Sequence, residues 1–416
     1  MDANSGELQP NTEAGKRFVA IVAQHRDAFR ERAPAHDEAA SFPAENIDDL
    51  KASGGMAVFV PEELGGLGLA SIHDWIVGLE RMARADASTA IAVTMHYGVT
   101  RNLAGAWRAA VERGDEAAAQ GPAGMLRAIA AGELVFCATA TEAGTDFLRP
   151  QTTAEASAEG WSINGRKFFV TMSPIADLAV VGLRVREAGE EDKIGFAFIP
   201  METPGLLPQD DWDALGMRAS GSQSVVFADC RVPRESIQIA GEWGRWNPGI
   251  LMGRTIGNVT LVAVFLGIAE RARELALAGA QAATKTKLDG ALASASGVQH
   301  LLGEIDIELA AARAVLGEAA RRLDAALAEP GGGRPSLEVA HGHMRDYQAA
   351  KWTVNQSAIR IVSRAMDVQG GTAFMGHNEL SRLYRDVRAG PFMQPFSPTE
   401  THEYVGQVAL GLYPEG

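Results

Sequence analysis

Cysteine is nearly absent: Cys137 and Cys230 are the only two in 416 residues. Two thiols cannot form a disulfide framework or a Cys-rich metal site, and they suit a reducing compartment, so a cytoplasmic setting is expected. Metal-ligand spacing is lacking too. The nine histidines include Ala340-His341-Gly342-His343, but no His-Glu-x-x-His pattern occurs, and no metal centre is expected. No Lys/Arg-rich run stands out, and the formal net charge is −14. Nucleic-acid binding draws on clustered cations to neutralise phosphates, so this balance argues against it, while leaving room for a local basic pocket. The most apolar run, Val259 to Ala269, is about half the length of a bilayer span. Met1 to Pro10 is polar and carries Asp2 and Glu7, unlike a signal peptide. No membrane role is expected.

What remains is an ordinary globular composition, 46% hydrophobic and 22% charged, in a chain long enough for two or three packed units. The hydrophobic period changes twice. Residues 12–130 read as an N-terminal helical domain: Arg17 to Arg32, Ala44 to Ser53, Ser71 to Arg84 and Ser88 to Arg113 have helical spacing. Residues 131–240 read as a middle β domain. Within it, Asn164-Gly165 separates two strand-like runs and predicts a hairpin; Lys193 to Pro200 and Ser224 to Cys230 read as further strands. Residues 241–416 read as a C-terminal helical bundle, with long periodic segments at Arg254 to Ala283, Ser296 to Ala328 and Leu337 to Val368. The fold class is therefore α+β and multidomain.

That order fits several unrelated proteins, so particular residues must carry a functional reading. Phe136-Cys137-Ala138-Thr139-Ala140-Thr141-Glu142-Ala143-Gly144-Thr145-Asp146 gathers small residues, main-chain donors and hydroxyls. Such a stretch lets a planar heterocycle approach the backbone and receive hydrogen bonds at its polar edge. Around it, in order, stand Pro61 to Leu69 with three glycines, Trp161 to Thr171, Gly216 to Ser220, Val226 to Pro233, Gln369-Gly370-Gly371 and Arg385-Asp386-Val387-Arg388. Together they resemble the motifs of the acyl-CoA dehydrogenase family across nearly the whole chain. The stretch from Phe136 matches the family's flavin-binding segment, and Phe169-Val170-Thr171 stands where Trp-Ile-Thr is usual.

The resemblance implies a three-domain subunit with FAD between the β domain and the bundle, commonly in a homodimer or homotetramer. It implies that Phe136, Ala138, Thr139, Gly144 and Thr145 line the flavin, and that Phe169 and Thr171 cover its ring and bond its edge. Gly370 and Gly371 would admit the adenylate portion from another chain. Two departures stand out. Lys285 and Leu288 fall where the family meets the pyrophosphate with Arg-x-x-Phe-Gly, and Lys lacks the fork with which Arg holds phosphate. At the catalytic base, six positions beyond Arg388, stands Gln394 instead of Glu; an amide cannot remove a proton near neutral pH. Some relatives carry the Glu on the first long C-terminal helix, but no Asp or Glu occurs between Glu242 and Glu270, and the matching position falls near Gly257 or Asn258. Glu142, Glu400 and His402 are the other candidates nearby, each read as a surface or structural group.

Three functions stay open. The resemblance implies first an FAD-dependent dehydrogenase acting on an acyl thioester, such as an acyl-CoA, or a related small molecule, with a non-standard or missing base and an electron-transfer flavoprotein as redox partner. The second is a monooxygenase on the same fold, drawing reduced flavin from a reductase; His96 lies where such enzymes can place a histidine toward substrate. The third is a non-catalytic subunit that completes a homologous partner's site.

Overall fold

The computed structural model describes residues 6–285, 290–329 and 335–416. Five helices open the chain: α1 (Glu13–Ala39), α2 (Ala44–Ala52), α3 (Ile72–Ala83), α4 (Ala87–Glu112) and α5 (Glu116–Ala130). Local chemistry sets their ends. Thr12 accepts the Gly15 N–H to start α1, and Asp86 accepts the Ser88 and Thr89 N–H groups to start α4. α3 is capped from a distance as well, because Asp324 in the bundle accepts the Ile72 and His73 N–H groups at 2.6 and 3.1 Å.

Eight strands follow: β1 (Phe136–Thr139), β2 (Thr153–Ser157), β3 (Gly160–Val170), β4 (Leu178–Arg186), β5 (Lys193–Pro200), β6 (Leu206–Pro208), β7 (Gln223–Val232) and β8 (Ile237–Glu242). They form one sheet in the order β6-β7-β3-β2-β4-β5-β8, with β1 also paired to β4. The hairpin expected at Asn164-Gly165 is not there: β3 runs through both residues. Gly165 (φ 146°) sits at a break in the β3–β7 register, and a Cβ there would lie 2.6 Å from Thr152 Oγ1. The glycine serves a bulge and a close approach, which also call for a residue without a side chain. The chain reverses instead between β2 and β3, at Ala158-Glu159.

The C-terminal region is helical: α6 (Pro248–Ala282), then after a short ribbon of β9 (Thr284–Lys285) and β10 (Gly290–Ala291), α7 (Ser296–Ala328), α8 (Leu337–Gln369), α9 (Glu379–Asp386) and α10 (Pro398–Ala409). Among the described residues only α6 is long and apolar enough to cross a membrane, and 78% of its most apolar window is buried inside the protein. It is the central helix of the bundle, packed against α3, α4, α7 and α8. Apolarity all round is what a fully enclosed helix requires.

Charges as well as apolar contacts fasten the N-terminal helices to the bundle. Arg313 on α7 gives Glu270 on α6 two bonds of 2.6 and 2.7 Å. Arg84 after α3 bonds Glu80, lies 3.7 Å from Glu270 and reaches Glu7 at 3.1 Å. Burial, helped by the nearby Glu80 charge, raises the Glu270 carboxyl, so the network depends on its arginines.

Candidate functional site

Sheet pairing opens the site. One edge of β4 is shared: β1 takes Leu178 to Val181, and β2 takes Arg184 to Arg186. The chain between β1 and β2, Ala140 to Thr152, must therefore leave the sheet as a loop. An isolated bridge between Thr141 and Phe168, with the Phe168 N–H 2.9 Å from Thr141 O, ties that loop to the end of β3. Thr139, Phe169 and Thr171 are brought to the same end of the sheet.

Their states differ from those of the surrounding core. Thr139 Oγ1 is sealed from solvent and has no hydrogen-bond partner among the described residues. Phe169 is 57% exposed at φ 54°, with its ring edge-on to Trp212 at 5.8 Å. Thr171 Oγ1 lies 2.8 Å from Ser222 Oγ, which lies 2.7 Å from Ser220 Oγ. An orphaned hydroxyl, an exposed aromatic face and a chain of hydroxyls fit a planar heterocycle with a polar edge. A flavin matches that donor set, with Thr139 and Thr171 at its edge and Phe169 against its face.

The loop is held firmly from behind. Glu142 receives the Thr152 N–H at 3.0 Å and the Lys167 ammonium at 2.5 Å, both side chains being buried. Burial alone would raise the Glu142 carboxyl, but Lys167 and the hydrogen bonds outweigh it and hold it below the usual range. Glu142 is thus an anchor and not a free base.

Other residues singled out by the sequence are dispersed. Phe136 is fully buried, stacked on His96 at 6.0 Å and edge-on to Phe198, and Ala138 packs into the same cluster beneath α4 and α5. The ring of Phe136 is committed to packing, because residues 136 and 138 share one face of β1 while Thr139 lies on the other. Gly144 is exposed at φ 73°, and Thr145 Oγ1 donates to Arg149 O at 2.5 Å. Gly370 and Gly371 end α8 in the open, and nothing lies within 4 Å of where a Cβ would stand. Leu288 is outside the described residues, as is the side chain of Lys285.

No general base emerges where one was sought. His96 is 0% exposed; its Nδ1 accepts the Phe136 N–H at 3.2 Å, which leaves Nε2–H to donate to Met56 O at 3.0 Å. Burial lowers its pKa to about 4, so it is a neutral pin between α4, the loop before the glycines and β1. That placement corrects its reading as a substrate-facing histidine. Glu400 caps α10 by accepting the Ser397 N–H at 2.7 Å, and His402 stands edge-on to Trp352 at 4.1 Å. Gln394 is partly exposed; its carbonyl accepts the Tyr347 hydroxyl at 2.6 Å, and no hydrogen bond to its side-chain amide is found among the described residues. The flanking carbonyls of Met393 and Phe396 accept from the Lys351 ammonium.

Sequence reasoning missed Arg254, Phe147, Tyr347 and Ser222, and met Ser220 only as the end of the Gly216 motif. Only the serines carried a local signal, directly after Gly216 to Arg218. A cavity of about 600 Å³ opens elsewhere, along the β5–β8 edge, lined by Glu190, Glu191, Asp192 and Glu242 among others. Arg184 and Arg245 share its wall with those four carboxylates, and none of Thr139, Phe169, Thr171, Ser220 or Ser222 lines it, so the hydroxyls and aromatics locate the site better.

Comparison with known proteins shows the family. Residues 18–106, 135–230 and 255–394 match the N-terminal, middle and C-terminal domain models of acyl-CoA dehydrogenases. The chain is 33% identical to the amino sugar nitrososynthase DnmZ of Streptomyces peucetius, over 98% of this chain and 96% of that protein. It is 31% identical to the putative acyl-CoA dehydrogenase YdbM of Bacillus subtilis, over 94% and 96%. Among solved structures it resembles KijD3 in complex with FMN and dTDP-3-amino-2,3,6-trideoxy-4-keto-3-methyl-D-glucose, at TM-score 0.90 and 33% identity, covering 100% of this chain and 98% of that one.

Proposed function

The chain belongs to the acyl-CoA dehydrogenase family of flavin-dependent enzymes, and from that premise we propose that it is a monooxygenase acting on the primary amine of a nucleotide-linked amino sugar. One observation carries the reading: an amide, Gln394, stands at the base position, and no carboxylate stands on α6 before Glu270. Dehydrogenation of an acyl thioester needs a base for the α-proton, whereas an amine brings its own lone pair and needs none. Likeness to an amino sugar nitrososynthase over nearly the full length supports the same choice.

When bound, reduced flavin supplies two electrons and activates O₂. The overall steps balance as R–NH₂ + O₂ + reduced flavin giving R–NHOH + H₂O + oxidised flavin, and a second round giving R–N=O and two waters. The chain's own residues bind and shield. Thr139 and Thr171 hold the polar edge, Phe169 and Trp212 form an apolar wall, and the Glu142–Lys167 anchor fixes the loop so that water is excluded at the reacting edge. Association of copies is part of this proposal. Phe374 is 85% exposed and Met375 51%, beside the open Gly370-Gly371 turn, a surface suited to a second chain.

The test supplies a flavin reductase, NADH, O₂, either FMN or FAD, and a dTDP-linked 3-amino sugar. Mass spectrometry is expected to show a product heavier by one oxygen, followed by one that has then lost two hydrogens. FMN is expected to serve as well as FAD, in keeping with Lys285 in place of an arginine fork. Acyl-CoAs added anaerobically are expected to leave the flavin oxidised. Rapid bleaching by an acyl-CoA, with no oxygenated sugar, would restore the dehydrogenase reading.

A further inference from the structure

Arg254 lies on the first turns of α6, where the loop after β1 meets the bundle. Its guanidinium sits 4.1 Å from the centre of the Phe147 ring, two residues beyond Thr145 in the flavin-binding stretch. Phe147 in turn stacks on Trp246 at 6.4 Å. From the bundle side the titratable group acting on Arg254 is Tyr347, whose hydroxyl is bonded to the Gln394 carbonyl at 2.6 Å. Arg254 therefore faces the seam between the flavin loop and the segment at the family's base position.

The charge of Arg254 is uncompensated. Its Nε is sealed from solvent without a hydrogen-bond partner, and no carboxylate lies within 4.0 Å among the described residues. The interior arginines of the bundle and its N-terminal neighbours meet carboxylates: Arg84 with Glu80, Arg313 with Glu270, Arg271 with Glu379 at 2.8 Å, and Arg382 with Asp86 at 3.6 Å. Arg101 on α4 has an orphaned Nε like that of Arg254 but lies away from the flavin loop. Burial without an anion disfavours the cation and lowers the Arg254 pKa to about 10. The residue as a whole keeps some solvent access, so an anion can reach it. In a chain of net charge −14, an unpaired cation beside the flavin loop is a selective feature.

We propose that Arg254 is the anion receptor of the substrate cleft and binds the diphosphate of a nucleoside-diphosphate-linked substrate. The guanidinium fork matches two phosphate oxygens, and Phe147 holds its plane in place. This inference rests on the proposed sugar-nucleotide oxidation, but its readout is binding and not turnover.

The experiment titrates flavin-loaded protein with dTDP and with thymidine by calorimetry. The parent is expected to prefer dTDP, Arg254→Gln to bind it at least about tenfold more weakly, and Arg254→Lys to fall between. Phe147→Leu, which keeps the charge, is expected to retain the preference for dTDP. Thymidine binding and flavin affinity are expected to stay level in every variant, which separates a lost anion contact from a damaged fold. Equal dTDP affinity in the parent and Arg254→Gln overturns the inference while oxygenation of the amino sugar can still stand. Failure of the parent to bind dTDP overturns it as well. Absence of oxygenated product with dTDP binding intact counts against the reaction alone.

Discussion

The two ends of α6 carry arginine and glutamate under opposite conditions. Toward its C-terminal half, Glu270 is enclosed with Arg84 and Arg313, and both arginines meet carboxylates. Near its start, Arg254 meets an aromatic ring and a tyrosine, and no carboxylate lies within 4.0 Å of it among the described residues. Folding alone explains the first arrangement, because a buried charge is tolerated when it is paired. It does not explain the second, where the desolvation cost is left uncompensated inside the chain. An uncompensated cation beside the loop that follows β1 marks a place where a group from outside can complete the protein.

Removal of one member from each end tests that contrast most severely. Glu270→Ala leaves Arg313 and Arg84 facing each other without their shared carboxylate, and is expected to destabilise by about 3–5 kcal/mol. Arg254→Gln removes a cation that has no anion, and is expected to change the stability of the flavin-free protein by less than about 1 kcal/mol. Urea denaturation of both variants checks this. Similar losses would mean that Arg254 is as much a part of the scaffold as Glu270, and the contrast would fail.

Much of the scaffold was legible in the sequence because its signals are local and periodic. α6, α7 and α8 follow the long apolar patterns closely, and Lys193 to Pro200 is a strand over the residues read as one. Where meaning depends on distant partners, the sequence misled or was silent. Asn164-Gly165 has the composition of a turn, yet the approach of Thr152 makes it a bulge. β1 is four residues long, too short for any period, and its place beside β4 is set by a strand forty residues on. His96 looked available until the Phe136 N–H and Met56 carbonyl occupied both its nitrogens. Arg254 could not be told from 37 other cations, since the lack of a partner is a property of three dimensions.

The scaffold side of the contrast also has a pH signature. Asp74 is 0% exposed and receives the N–H groups of Asn11 and Thr12 and the Thr12 hydroxyl at 2.6–2.8 Å, fastening α1 to α3. Burial alone would raise its carboxyl, but His73 and these donors outweigh it and hold its pKa at about 2. A pKa lowered on folding contributes stability that is complete above the unfolded value, near 4, and is lost as pH falls toward 2. The contribution is about 2 kcal/mol. Denaturation from pH 5 down to pH 2 is expected to show that loss in the parent and a flatter profile in Asp74→Asn. An unchanged slope in the variant would assign the acid sensitivity to other carboxylates, Glu142 first among them.

Thr139 gives the smallest effect and the finest test, because there stability and binding should move in opposite directions. Its hydroxyl is buried without a partner, which costs about 1–3 kcal/mol in the flavin-free chain. Valine has nearly the same shape, keeps the branched side chain that suits β1, and has no hydroxyl to satisfy. Thr139→Val is therefore expected to raise the stability of the flavin-free protein by about 1 kcal/mol. If the hydroxyl bonds the flavin's polar edge, the same change removes one hydrogen bond worth about 0.5–1.5 kcal/mol, so flavin affinity falls about two- to tenfold. Thr139→Ser, which keeps the hydroxyl, is expected to hold affinity close to that of the parent. Urea denaturation without flavin and fluorescence titration with FMN read the two quantities separately. A variant that loses stability while binding flavin as before would place Thr139 with the paired scaffold, and the flavin edge would have to be sought along Thr171, Ser222 and Ser220.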